Sequence, residues 1–368
     1  MTPLALRIAF SSVRGLSPEL AASILSRIGG EEQFFELSES QLSAAMGFKS
    51  RIFDSALRAK LIEEAKREEE FVLGHSIAPI YFTESRYPQR LLECEDAPLM
   101  LYGLGDCDLN EARFVSIVGT RHATAYGNGF VEQLVTELAE KLDDKLVIIS
   151  GLAYGIDIAA HKAALHNHIP TVAVLAHGLN TIYPASHRST AVEIVRSGGM
   201  LLTDYRSGDT IHKGNFLARN RIVAGLCDCL VVAESAARGG ALVTARLASG
   251  YNREVMALPG RCNDKYSAGC NSLISSNIAS LLTCADDLIS LMGWSVHDTQ
   301  EGAQGELFVK LTPEEEAVME ILTKKGDAGI HDFTSRIDIP LPRLMALLID
   351  MEFRSLIIHL PGGRYRLR

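Results

Sequence analysis

The sequence predicts an α/β protein: a doubly wound, Rossmann-like parallel sheet with a helical module before it and a winged helix after it. Three observations carry this. Between residues 111 and 292, short apolar runs alternate with amphipathic stretches of helical length. That alternation marks parallel strands covered on both faces. The connections are short, as right-handed crossovers require. Glycines recur just after the apolar runs, at the edge where such sheets bind ligands.

Residues 1–70 read as helical. Ser17-Pro18-Glu19 supplies a cap, a first-turn proline and an acid, and Leu20, Ile24, Leu25 and Ile28 follow at helical spacing. Gly29-Gly30 stops that helix, and two more are expected over 38–46 and 50–71. The module looks like the SAM or helix-hairpin-helix type, and its acidity favours a packing role. Residues 71–110 carry Pro79, Pro88, Pro98, Gly103 and Gly105, which predicts an extended, turn-rich connector packed on the next domain. The expected strands of the central domain are 114–119, 146–151, 171–176, 200–203, 230–234 and 254–258. The helices between and after them are 125–142, 157–166, 186–196, 217–226, 241–251 and 271–276. Residues 293–309 are polar and lack periodicity, so a linker is expected. Thr312-Pro313-Glu314-Glu315 opens a helix in residues 310–368. Helices over 331–337 and 341–351 and a hairpin around Pro361-Gly362-Gly363 complete a winged helix. Arg343, Arg354, Arg364, Arg366 and Arg368 fall on its last helix and wing, where a DNA or protein contact and a plain basic tail are both open readings.

At 368 residues the chain holds two or three domains, and 47% hydrophobic against 22% charged residues describes a globular protein. Arg7 and Arg14 interrupt the N-terminal apolar pattern, and no later run is long enough for a membrane span. A cytoplasmic location is expected. The seven cysteines are odd in number and scattered, without a Cys-x-x-Cys pair, so neither a disulfide framework nor a zinc site is expected. The net charge of −9 is uneven: residues 111–292 hold 16 Lys/Arg and 16 Asp/Glu. A negative total therefore leaves room for a local anion site.

The segment Lys213-Gly214-Asn215-Phe216-Leu217-Ala218-Arg219-Asn220-Arg221 sets three cations, two amides and a ring in nine residues. Cations hold phosphates, and a ring stacks on a base without reading its identity. A solvated basic helix start is the other reading of this segment alone. Gly119-Thr120-Arg121, Gly151 with Gly155, and Gly239-Gly240 follow the first, second and fifth strands. Such loops let backbone N–H groups approach anions. The dinucleotide fingerprint fails, because Arg121 stands where a glycine belongs, and no Gly-Lys-Ser/Thr loop occurs. No cofactor is expected. Asp157 and His161 sit four apart at a helix start; a cap and a packed histidine suit them better than an acid–base pair. No catalytic residue is assigned.

As an ordered set these motifs resemble the DNA-processing DprA family, also called Smf. The resemblance covers residues 114–284. It runs through Ser116-Ile117-Val118-Gly119-Thr120-Arg121 with Tyr126-Gly127, Ser150-Gly151-Leu152-Ala153 with Gly155-Ile156-Asp157, and Ala160-His161. Ile182-Tyr183-Pro184, Phe216 with Arg219-Asn220-Arg221, Val243-Thr244-Ala245, Leu258-Pro259-Gly260 and Gly269-Cys270-Asn271 continue it. The resemblance implies a single-stranded DNA-binding protein that protects incoming DNA in natural transformation, loads the RecA recombinase and forms a homodimer. It implies that Arg121 and Lys213 hold phosphates, that Phe216 stacks on a base, and that Arg219, Asn220 and Arg221 shape the pocket. Gly239 and Gly240 would give backbone contacts. Tyr154 departs from the family's frequent Lys or Arg, Thr203-Asp204 from Ser-Glu, Leu217-Ala218 from a common Pro, and Arg238-Gly239-Gly240-Ala241 from a Ser-Gly-Ser loop. The alternative is a Rossmann-like enzyme hydrolysing nucleoside monophosphates. Its Pro-Gly-Gly-x-Gly-Thr loop is missing, with Pro259-Gly260-Arg261 the nearest approach.

Overall fold

The structure is a computed structural model that describes residues 1–142, 145–295, 312–337, 339–353, 356–360 and 364–367. Two compact units divide the chain, Met1–His297 and Asp298–Arg368.

The first unit is built on a nine-stranded sheet. In chain order its strands are β1 (Ala78–Tyr81), β2 (Met100–Gly105), β3 (Arg113–Val118), β4 (Leu146–Ser150) and β5 (Thr171–Val174). Then come β6 (Met200–Thr203), β7 (Cys229–Val232), β8 (Glu254–Ala257) and β9 (Ser280–Leu281). The spatial order is β1-β2-β6-β5-β4-β3-β7-β8-β9. All pairs from β6 through β9 are parallel. The parallel strands are almost wholly apolar and buried, as a sheet covered on both faces demands. The chain winds outward from β3 to β6 and then returns to lay β7 beside β3. The order therefore reverses between β3 and β7, and that crevice is where a doubly wound sheet offers a ligand site.

One face carries the helices Ala125–Lys141, Ile156–His166 and Ala285–Met292, whose apolar sides pack with Val115, Ile117 and Ile148. The other carries Lys213–Leu226 and Gly240–Gly250. Their cluster is continuous with that of the N-terminal helices, from Ile8, Phe10 and Phe34 through Tyr81 to Val223 and Ala245. The N-terminal helices Pro3–Ser11, Pro18–Ile28, Glu31–Glu36, Glu39–Met46 and Ser55–Gly74 are thus packed onto the sheet's own core. The helix Ser55–Gly74 also reaches the loop after β6: buried Glu68 accepts from Ser207 N–H at 2.9 Å, and Glu64 pairs with Arg206 at 2.9 Å.

The expected connector 71–110 differs from what forms. It contributes β1 and β2, an antiparallel extension of the sheet beyond β6. Pro79 is tolerated because β1 is an edge strand. Gly103 and Gly105 read as turn residues, yet both lie in β2 and are needed there. A Cβ at Gly103 would come within 2.9 Å of Met200 Sδ, and one at Gly105 within 2.1 Å of the Gly199 carbonyl oxygen.

The second unit contains the helices Pro313–Lys325, Ile330–Thr334 and Leu341–Phe353. They lie against an antiparallel sheet of β10 (Asp327–Gly329), β11 (Ile357–Leu360) and β12 (Arg364–Leu367), ordered β10-β12-β11. Val318, Leu322, Phe333, Leu344 and Leu348 form its core. β10 has no counterpart in the sequence-based expectation. Thr312 caps the first helix, and Glu315 completes the capping box. Arg343 pairs with Glu314 at 2.9 Å and Arg364 with Asp327 at 3.1 Å, so both cations are engaged within the unit. Most of the expected linker, the Pro361-Gly362-Gly363 turn, Arg354 and Arg368 lie outside the described residues.

Candidate nucleic-acid interface

At the reversal between β3 and β7 the chain builds a cavity of about 320 Å³. Its floor comes from the loops after β3 and β7, and its wall from the helix Lys213–Leu226. That helix begins four residues before the expected Leu217, and no side chain caps its first turn. Its N-terminus therefore brings backbone dipoles to the strand edge, where they favour an anion.

Exposed Arg121 lies with its guanidinium carbon 5.3 Å from the centroid of the Phe216 ring. Tyr183 meets the same ring edge-on, with centroids 5.6 Å apart. Tyr183 is held from behind: its backbone N–H donates to His177 Nε2 at 3.1 Å, while His177 Nδ1–H donates to the Gly178 carbonyl at 2.9 Å. Burial pushes the His177 pKa down, so the ring stays neutral and keeps Nε2 as an acceptor. Lys213 is exposed at the helix start, and Asn220 lies one helical turn beyond Phe216. Phe216 is thus a half-buried ring bracketed by a cation and a second ring. That arrangement suits a flat π-system carried on a phosphate backbone.

The glycines divide by what they touch. A Cβ at Gly119 would meet Ile156 Cγ1 at 2.5 Å, and one at Gly155 would meet the Thr120 carbonyl oxygen at 2.2 Å. Gly155 also has φ of +78°, a conformation side chains rarely adopt. A Cβ at Gly239 would meet Ser235 Oγ at 2.2 Å, whereas Gly240 faces open space. Among these four, Gly240 is the glycine that packing does not explain.

Gly151 has a different reason again. Its Cβ would fall 2.0 Å from Arg219 Nη1. Arg219 is buried and donates to the Val174 carbonyl. Its pKa is pulled below the ordinary value by burial, with Asp157 the chief opposing influence. Asp157 is buried beside it, its pKa raised by burial and held back first by Arg219. Asp157 lies in the first turn of the helix Ile156–His166 and makes no side-chain cap bond there. Gly155 occupies the cap position. His161 is fully buried. Thr171 Oγ1 donates to the Ile148 carbonyl at 2.7 Å, so His161 Nδ1–H must donate to Thr171 Oγ1, also 2.7 Å away. Burial lowers its pKa to about 3, and Nε2 has no partner. A histidine in that position is packed and neutral, out of reach of a substrate.

The cavity gathers Gly119, Thr120, Arg121, Lys213, Phe216, Arg219, Asn220, Gly239 and Gly240, with Gly151 and Gly155 packed beneath. Arg221 stands apart. It pairs with Asp204 at 2.5 Å, donates to the Asp96 carbonyl and lines a separate cavity. Tyr183 belongs to a motif of the resemblance but had no role assigned, since 32 residues lie between it and Phe216. Tyr154 is exposed and accepts from Ser186 Oγ at 3.2 Å, with His187 against its ring. Among the described residues no group of three His, Cys, Asp or Glu is placed to hold a metal, and no helix is long and apolar enough to cross a membrane. The seven cysteines are free thiols.

Residues 78–293 match the family model described as DNA recombination-mediator protein A. The chain belongs to that family. The match begins at β1 and ends after the helix Ala285–Met292, so it spans the whole sheet. Protein Smf of Escherichia coli is 33% identical over 288 residues, which is 77% of this chain and 75% of that protein. The X-ray structure of DNA processing protein A (DprA) from Streptococcus pneumoniae aligns with a TM-score of 0.65 at 32% identity. It covers 79% of this chain and 98% of that one. A structure of DNA processing protein A from Helicobacter pylori, described for its single-stranded DNA binding mode, aligns with a TM-score of 0.52 at 29% identity. It covers 59% of this chain and 95% of that one.

Proposed function

We propose that this member of the family is a recombination mediator that binds single-stranded DNA without sequence preference, in the cytoplasm and without catalysis. It would protect incoming DNA during natural transformation and load RecA onto it, acting as a homodimer. The observation that carries the DNA reading is the stack of Arg121 on Phe216 at the sheet reversal. A cation and a ring in contact, beside an uncapped helix start, give one phosphate site and one base site within a single nucleotide's reach. The binding mode described for the Helicobacter relative supports the same ligand. RecA loading and the dimer rest on the family alone. The N-terminal helices up to residue 70 are read as a SAM or helix-hairpin-helix-like packing module, 111–292 as the DNA-binding domain and 310–368 as a winged helix.

The nucleotide-hydrolysing alternative gains no observation: Asp157 and His161 are both occupied in packing. Phe216→Ala is the direct test. It should weaken oligo-dT binding about tenfold or more, measured by fluorescence anisotropy, with the melting temperature unchanged. Wild-type affinity in that variant would remove the stacking role.

A further inference from the structure

The chain places a second ring-lined cavity beside the first, and we propose that it takes the next base of the same DNA strand. This rests on the single-strand reading above and extends it from one base to two. The cavity, about 760 Å³, lies between the start of the helix Ala125–Lys141 and the loop after β8. The two cavities share their loops. Arg121 faces the first and stacks on Phe216, while the adjacent His122 lies nearly parallel to the ring of Tyr266, with centroids 6.4 Å apart and planes 26° from parallel. After β7, Glu234 lines the second cavity and Ser235 the first. A strand crossing the Arg121-His122 peptide therefore passes from one ring to another.

The second cavity has the chemistry for a nucleotide. Tyr126, 53% exposed, forms a wall and is fixed by donation from its hydroxyl to the Pro259 carbonyl at 2.8 Å. Lys265 sits 5.2 Å from the Tyr266 ring centroid, and Arg261 and Lys265 are exposed on a loop whose one acid is Asp264. The Glu234 carboxylate in the lining is already engaged by the start of the helix Ala125–Lys141. It is buried and accepts from Thr124 N–H at 2.8 Å and Thr124 Oγ1 at 2.6 Å. The loop is also held in place: Ser235 N–H donates to the Tyr266 carbonyl at 2.6 Å, and a Cβ at Gly260 would collide with Ser267 Oγ. Flat rings with cations at the rim fit sequence-tolerant stacking.

The test is a length series of oligo-dT, up to about 16 nucleotides, titrated against the full chain. Tyr266→Ala should bind the shortest oligo that wild type binds with unchanged affinity, and long oligos about fivefold or more weakly. Tyr266→Trp should keep the wild-type gain with length, which separates stacking from loop damage. Lys265→Ala should reduce the slope of log affinity against log salt by about 0.7 for long oligos only. Tyr266→Ala matching wild type at every length, while Phe216→Ala weakens all lengths, overturns the second site and leaves the first standing. Phe216→Ala matching wild type overturns the underlying reading instead.

Discussion

The two faces of the helix Lys213–Leu226 use the same residue types for opposite purposes. On the cavity face, Lys213 is exposed and Phe216 carries Arg121 on its ring. On the inner and far faces, Arg219 is buried under Gly151 and Arg221 is paired with Asp204. Four cations lie within or beside one short helix, and two of them are spent on architecture. A basic cluster read from sequence as one ligand wall is in part packing beneath the cavity. Burial separates the two roles, because a guanidinium committed to fixed partners, as Arg219 is to the Val174 carbonyl and Arg221 to Asp204, gives them up at a cost when it turns to a mobile phosphate.

The sharpest way to break this contrast is Arg219→Met. It removes the buried donor to Val174 and leaves Asp157 without its chief opposing charge. The expected loss is about 3 kcal/mol of stability, seen as a lower melting temperature, because an uncompensated buried carboxylate remains. If Arg219→Met melts like wild type and fails only in DNA binding, Arg219 belongs with the ligand-facing set.

His161 extends the same buried layer and gives it a pH signature. Its folded pKa of about 3 lies below the ordinary value of about 6.5. The unfolded chain therefore binds more protons between those limits, so stability is full above about pH 6.5 and falls as the pH drops toward 3. The slope contributed is at most about 1.4 kcal/mol per pH unit. Arg219 and His187 face this ring and oppose its protonation, after burial itself. His161→Gln should flatten that part of the stability profile in denaturant titrations. An unchanged profile would mean that His161 titrates normally.

Arg221 and Arg121 form the next pair. Arg221→Ala should lower stability by about 1–2 kcal/mol, since Asp204 loses its partner, and should leave the salt dependence of DNA binding unchanged. Arg121→Ala should do the reverse: an unchanged melting temperature, with the slope of log affinity against log salt reduced by about 0.7. Equal effects of both on the salt slope would erase the distinction between the two faces.

How much of this was legible follows the same division. The alternation of apolar runs and helices in residues 111–292 led to β3 through β8, because continuous burial writes an apolar run into each of them, but not to the two-residue edge strand β9, which is exposed. The edge strands β1 and β2 were read as a connector, since Pro79, Gly103 and Gly105 are turn residues by local preference. Only the distant Met200 and Gly199 explain the glycines. The early start of the helix at Lys213 was hidden because His212 offers no side-chain cap. Arg121 and Phe216 were singled out through chemistry and order along the chain, and the structure brings them into contact. Arg219 and Arg221 were named with them, but their burial comes from Val174, Asp204 and Asp96, partners 17 to 125 residues away.

The smallest expected effect separates the two adjacent glycines of the β7 loop. Gly239 is fixed by Ser235, while Gly240 opens the helix Gly240–Gly250 with nothing near its missing Cβ. Its φ lies outside the left-handed region, so alanine fits there and should stabilise the fold by about 0.5 kcal/mol through a less flexible unfolded chain. A strand whose phosphates approach that backbone closely would meet the new methyl group. Gly240→Ala should therefore raise the melting temperature slightly and weaken oligo-dT binding a few-fold. A gain in stability with unchanged affinity would place the strand's path away from this loop, and with it the reason for a glycine that packing does not require.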